Sequence, residues 1–274
     1  MAEDGSVDAG SFARHLHDLL DGGAEGLFVA GTTGEGLFLE DDERIELVRT
    51  AVEVAAGRVP VVGHCGALTT RRACELAVRM RNAGADGIAA LSPFFYHVDA
   101  EAMVEHFREV ADAALGPTYL YSIPGLTGVT IPVEVVRRVI EHPRFGGLKF
   151  SACDPEQLLA YVRTGAPVFI GCDALITTAM RAGAAGTVSG TAACLPGPYA
   201  RLFARIREGA DPAVAQAAVT RFDTLLAAFP PIAAYKRVLV RRRVIASATV
   251  RRPLRPLTRE ENARLDAALA EVMG

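Results

Sequence analysis

Three segments of this chain repeat one local signature: Gly23-Ala24-Glu25-Gly26, Gly84-Ala85-Asp86-Gly87 and Gly183-Ala184-Ala185-Gly186. Each ends a stretch with helical periodicity and opens a short apolar run. The first glycine suits the left-handed residue that closes a helix. The turn then feeds a strand. A repeated helix–turn–strand unit points to an alternating αβ architecture. The apolar runs fall at 27–30, 59–63, 87–91, 118–123, 147–150, 167–171 and 186–189. They alternate little with polar residues, as parallel strands buried on both faces should. Between them, apolar residues recur at helical spacing. Examples are Ile45, Val48, Val52 and Ala55; Ala73, Leu76, Ala77 and Met80; and Met103, Phe107, Val110, Ala111 and Ala114.

This pattern predicts a TIM (β/α)8 barrel occupying the whole chain, 1–274, as a single domain. Helices at about 197–208, 211–228, 230–244 and 258–272 form a C-terminal helical part, 197–274. The runs supply seven strands, and the chain opens on a helix at about 11–22, so the first strand of the barrel is missing. Either a strand lies upstream of Met1 or another segment fills the gap; 244–250 has weak strand character. The net charge of −3 gives no reason to expect nucleic acid or an anionic membrane as partner. No apolar stretch has the length of a membrane span. The N-terminus, acidic and rich in small residues, does not read as a signal peptide. The five cysteines are scattered and show no zinc-like spacing, so they read as reduced, buried residues. The expected compartment is the cytoplasm.

Of 29 basic residues, only Lys149 and Lys236 are lysine. Lys149 lies in the apolar run Gly147-Leu148-Lys149-Phe150. A lysine buried there has its pKa lowered toward the neutral amine, which can attack a ketone and form an iminium; arginine cannot. The other reading of the position is a lysine that snorkels or pairs with a carboxylate at a strand end. Tyr121 ends the preceding strand. It is placed either to move protons beside Lys149 or to cap the barrel as a half-buried phenol. Gly31-Thr32-Thr33-Gly34-Glu35 follows a strand directly, and its hydroxyls and N–H groups could bind a carboxylate; a plain βα turn is the alternative. Asp173 could serve as a structural carboxylate that caps the following helix. His64 reads most simply as a hydrogen-bonded structural histidine. His97 has no metal partner at ligand spacing. Glu40 to Glu43 read as a favourable acidic first turn, Arg237 and Arg241–Arg243 as a solvated helix face, and Lys236 as structural.

In order and spacing, these segments resemble the dihydrodipicolinate synthase / N-acetylneuraminate lyase family of class I pyruvate aldolases. The resemblance rests on Gly31 to Glu35, Ser92-Pro93-Phe94-Phe95, Tyr121 with Pro124 and Thr127-Gly128, Gly147 to Lys149, Gly171 with Asp173, and Ser189-Gly190. It runs from about Asp4 to Glu260. It implies that Lys149 is the Schiff-base lysine and Tyr121 the acid/base. Thr33 would be the hydroxyl relay, and Thr32 with Thr33 the clamp for the pyruvate carboxylate. The substrate pocket would draw on Gly31, Asp173, Ser189, Gly190 and Leu126. No metal and no cofactor is implied, since the iminium is itself the electron sink. The partners implied are pyruvate or another 2-keto acid, an aldehyde, and further copies in a homotetramer, a dimer of dimers.

Several positions depart from the synthase pattern. Leu126 stands where the synthases carry a carboxylate-binding arginine. Phe95 replaces a relay tyrosine. Ala193 and Ser122 stand where asparagine is common. The expected reaction is therefore reversible aldol cleavage or condensation of pyruvate with a neutral or hydroxylated aldehyde, of the 2-keto-3-deoxy sugar acid type. Alternatives are 4-hydroxy-tetrahydrodipicolinate synthase, a keto-acid dehydratase, or an inactive barrel used for binding or regulation.

Overall fold

The computed structural model describes residues 1–273. The backbone gathers into two compact units, one spanning residues 25–188 and one formed by residues 1–24 with Ser189 onward.

The first unit holds a parallel sheet of seven strands in sequence order: β1 (Leu27–Val29), β2 (Val61–His64), β3 (Gly87–Leu91), β4 (Thr118–Ser122), β5 (Phe145–Phe150), β6 (Val168–Ile170) and β7 (Gly186–Thr187). Each strand pairs with the next, and a helical segment separates every consecutive pair, which is the TIM-barrel pattern with seven strands among the described residues. Every residue of β3 is buried, as the unbroken apolar run requires. The helix Ala100–Ala114 buries Met103, Phe107, Val110, Ala111 and Ala114, and Asp99 caps it by accepting from Ala102 N at 2.9 Å. The acidic start of the helix Asp41–Ala55 forms a capping box between Glu40 and Glu43.

The repeated Gly-Ala-x-Gly signature has one geometry in all three copies. Gly23, Gly84 and Gly183 have φ of +90°, +97° and +98°. The alanine after each donates to the carbonyl five residues back, Leu19, Met80 and Ala179. That is the long hydrogen bond of a helix ended by a left-handed residue.

Register does the work of bringing the chemistry together. Across β4 and β5, Tyr121 lies opposite Lys149. Side chains alternate along a strand, so paired residues share one face of the sheet. Leu120 and Leu148, also paired, take the other face and are fully buried.

The second unit is helical: Ala9–Asp21, Gly190–Cys194, Pro196–Arg207, Ala213–Ala227, Pro231–Arg241 and Arg259–Met273. Phe222, Leu226, Ala234, Val238, Leu265 and Leu269 form its core. Residues 244–250 take no strand conformation. Val244 and Val250 are buried in the helical core, and the intervening Ser247 and Thr249 hydroxyls bond each other at 2.8 Å, so the polar groups are satisfied locally. Lys236 is structural, its Nζ donating to Thr249 O at 2.7 Å. Of the arginines expected on a solvated face, Arg241 and Arg243 are exposed, while Arg237 and Arg242 are half-buried and paired. Arg237 forms a two-point pair with Asp266. Arg242 grips both carboxylate oxygens of Asp18, at 2.8 and 2.7 Å, and also donates to Cys194 O at 2.8 Å. Sequence spacing could not show this, because Asp18 and Arg242 lie at opposite ends of the chain.

Asp18→Ala strips Arg242 of both carboxylate contacts in a partly shielded setting. Charge-assisted forks of this kind contribute about 1.5–3 kcal/mol. A fall of that size in urea-unfolding free energy is expected.

Candidate active site

Lys149 is only 7% exposed. Its Nζ donates to Ser151 Oγ at 2.8 Å and stands 3.6 Å from the centroid of the Tyr121 ring. The Phe28 ring lies 5.4 Å from the same nitrogen. Burial pushes the Lys149 pKa down from its ordinary value to about 7. A large share of this amine is therefore uncharged at neutral pH, against well under ~1% for an ordinary lysine. The sequence left two readings of Lys149 open. The neighbours it has, a hydroxyl and two aromatic rings, are those of a desolvated amine, not of an ion pair.

Tyr121 is 1% exposed. Its hydroxyl lies 3.1 Å from Thr32 Oγ1. Burial raises the phenol's pKa, and hydrogen bonds to Thr32 and Ser151 oppose the rise. Thr32, Tyr121, Ser151 and Lys149 thus form one run of polar groups set in an apolar surround. The hydroxyl at hydrogen-bonding distance from the phenol is that of Thr32, where the relay was expected at Thr33. The turn explains the exchange. Ala30 enters the turn in the left-handed region (φ 56°), Gly36 N donates to Gly31 O at 3.0 Å, and Glu35 N donates to Thr32 O at 3.0 Å. Gly36 is obligatory, because a Cβ there would sit 1.7 Å from Ala30 O. Threaded this way, the turn brings the first threonine's hydroxyl to the phenol.

Below this run lies His64, at the end of β2. It is 1% exposed. Its Nδ1 is 3.0 Å from Ala30 O, and its ring centre is 5.6 Å from that of Tyr121 and 6.0 Å from that of Phe28. Burial, with the charges of Arg44 and Lys149, depresses its pKa to about 3, so it is neutral.

The remaining residues singled out in the sequence divide. Asp173 is buried at the start of the short turn Asp173–Leu175 that follows β6. Leu126 is 69% exposed in the turn of helix Pro124–Thr127, and it carries no charge to offer a substrate. Phe95 is 78% exposed, with φ 75°, and its ring meets Tyr96 edge to face. Ser189 and Gly190 belong to the helical unit, where Ser189 Oγ caps helix Gly190–Cys194 by accepting from Ala192 N at 3.1 Å. Sequence reasoning assigned no role to Ser151 or Phe28. The signal for Ser151 was present: it stands two residues after Lys149, on the same side of an extended chain.

The cysteines depart from expectation. Cys153 and Cys172 form a disulfide with Cα atoms 5.3 Å apart, across 19 residues of sequence. It joins the segments that follow β5 and β6, between Ser151 and Asp173. Pairing depends on spatial approach that spacing does not reveal. Cys65 is buried, and burial pushes its thiol pKa up to about 12. Among the described residues, no group of three or more His, Cys, Asp or Glu side chains could hold a metal ion, and no helix is long and apolar enough to cross a membrane.

A parallel barrel sheet with a desolvated lysine beside a tyrosine at its strand ends defines an enzyme of the class I aldolase kind. The dihydrodipicolinate synthetase family matches residues 1–272. A 4-hydroxy-tetrahydrodipicolinate synthase of Streptomyces coelicolor is 34% identical, covering 98% of this chain and 89% of the relative. An uncharacterized DapA-like lyase of Halobacterium salinarum is 33% identical, covering 98% of this chain and 90% of the relative. Among solved structures, YagE of E. coli K12, a prophage protein of the dihydrodipicolinic acid synthase family in complex with pyruvate, superposes with a TM-score of 0.95. It is 26% identical and covers 100% of this chain and 95% of its own. The chain belongs to the dihydrodipicolinate synthetase family, and is a carbon–carbon lyase of the pyruvate aldolase class.

The disulfide closes a loop of a size for which chain entropy gives about 3 kcal/mol. Cys153→Ser, or treatment with dithiothreitol, is expected to lower the unfolding free energy by that order in denaturant titrations.

Proposed function

We propose that the enzyme joins pyruvate to a neutral or hydroxylated aldehyde, or cleaves the product, through an iminium on Lys149. The observation that carries this is the burial of the Lys149 amine against Tyr121, which keeps it available as a nucleophile. The neutral Nζ attacks the C2 carbonyl carbon, and the carbonyl oxygen leaves as water after taking up protons. The iminium then draws electrons from C3, whose proton departs, and the resulting enamine adds to the aldehyde. Tyr121, backed by Thr32, moves those protons. The turn Gly31 to Glu35, with Thr32 and Thr33, holds the keto-acid carboxylate. Pyruvate in the YagE complex supports this choice of keto acid.

Leu126 supports an aldehyde without a carboxylate, since the side chain offers no bidentate cation. Asp173 is assigned to the hydroxyls of such a substrate. A second reading, 4-hydroxy-tetrahydrodipicolinate synthase, is favoured by the name of the Streptomyces coelicolor relative. Presence of the whole Thr32–Tyr121–Lys149 set argues against an inactive barrel. Exposed Leu37, Phe38, Leu68, Phe95, Tyr96 and Leu126, all on segments after β1 to β4, suit association into a homotetramer.

Borohydride added with pyruvate should leave a reduced adduct on Lys149, located by peptide mass spectrometry, and Lys149→Ala should give none. Adduct formation needs the uncharged amine. Its initial rate should climb about tenfold per pH unit below about 7 and level off above it. Full turnover by Lys149→Ala would sink the mechanism. A panel setting aspartate semialdehyde against neutral hydroxyaldehydes separates the two substrate readings.

A further inference from the structure

His64 is costly where it stands. Ala30 O can only accept, so Nδ1 carries the proton and donates to it. Nε2 is then a bare acceptor. It is fully buried and has no hydrogen-bond partner among the described residues. It faces Gly66, where a Cβ would come within 2.6 Å. An apolar side chain of similar size would fill this space without stranding a nitrogen. What histidine supplies in exchange is the Nδ1–H bond, and that bond ends at a consequential atom. Ala30 is the left-handed residue that launches the turn carrying Thr32. The other side of the ring abuts Tyr121, at 79° between planes. Arg44, itself buried, donates to the carbonyls of His64 and Gly66 and so fixes the histidine's own backbone.

His64 therefore touches both partners of the Thr32–Tyr121 hydrogen bond, one through the backbone that precedes it and one through ring packing. We propose that His64 is a positioning residue for proton transfer, holding Thr32 Oγ1 on the Tyr121 hydroxyl by anchoring the Ala30 carbonyl and bracing the phenol ring. The assignment rests on the reading of Lys149 and Tyr121 as the reacting pair. His64 touches no substrate in this scheme and stays neutral throughout.

The step to measure is exchange of the pyruvate methyl hydrogens with D2O, followed by proton NMR. The iminium gives up a C3 proton, the C–H electron pair forms the enamine double bond, and a solvent deuteron returns to C3. His64→Leu keeps apolar bulk but loses the donor, and exchange should slow at least tenfold. His64→Asn restores an N–H at the Nδ1 position and should recover to within about threefold of the wild-type rate. Thr32→Val removes the hydroxyl that His64 serves. In that background His64→Leu should cost less than about twofold more, since residues acting through one contact are not additive. A merely structural role would make the two losses multiply, and that result, or a His64→Leu rate within twofold of wild type, overturns the proposal. Should His64→Leu fail to fold by circular dichroism, His64→Phe takes its place under the same criteria. If the wild-type enzyme neither exchanges nor forms the borohydride adduct, the Schiff-base reading itself falls, and the role of His64 with it. An adduct and exchange in the wild type, with no effect of the His64 variants, overturns this assignment alone.

Discussion

Burying an amine in a parallel sheet is the constraint around which the active site is arranged. Lys149 sits in β5 with apolar Leu148 and Phe150 on either side. Removing a charge from water in such a place is expensive, and the system responds by lowering the charge's occupancy. The surroundings are consistent with that. The amine meets Ser151 Oγ and two aromatic faces, and no carboxylate among the described residues is bonded to it. A carboxylate at hydrogen-bonding distance would hold the proton and destroy the nucleophile. The apolar strand environment thus serves packing and keeps the amine largely uncharged.

The groups proposed to move protons depend on the same sheet. Parallel register sets Tyr121 opposite Lys149 without any further device. Thr32 is brought in differently, by a tight turn whose conformation needs Gly36 and a left-handed Ala30. Local backbone strain of this type persists only where the surroundings over-determine it. Here His64, Phe28 and the turn's own hydrogen bonds do so.

Elsewhere the molecule relies on links between distant parts of the chain. Asp18 and Arg242 join the first helix of the helical unit to its C-terminal part. Cys153 and Cys172 join two strand-end segments beside the site.

The alternation of helix and strand was legible from the chain alone, because a left-handed glycine closing a helix and a doubly buried strand leave short-range marks. Gly23, Gly84 and Gly183 carried the first mark, and the unbroken run at Gly87–Leu91 carried the second. Lys149 and Tyr121 were legible for a related reason: a lone lysine in an apolar run and a tyrosine at a strand end follow from residue type and position. What stayed hidden was every relation set by approach in three dimensions. The choice of Thr32 over Thr33 depends on a φ angle at Ala30. The Cys153–Cys172 bond, the Asp18–Arg242 fork and the place of His64 against Tyr121 are contacts between segments 19 to 224 residues apart for the first two. Periodicity reports which face a residue takes on its own element. Only the packed tertiary structure decides which other element that face meets.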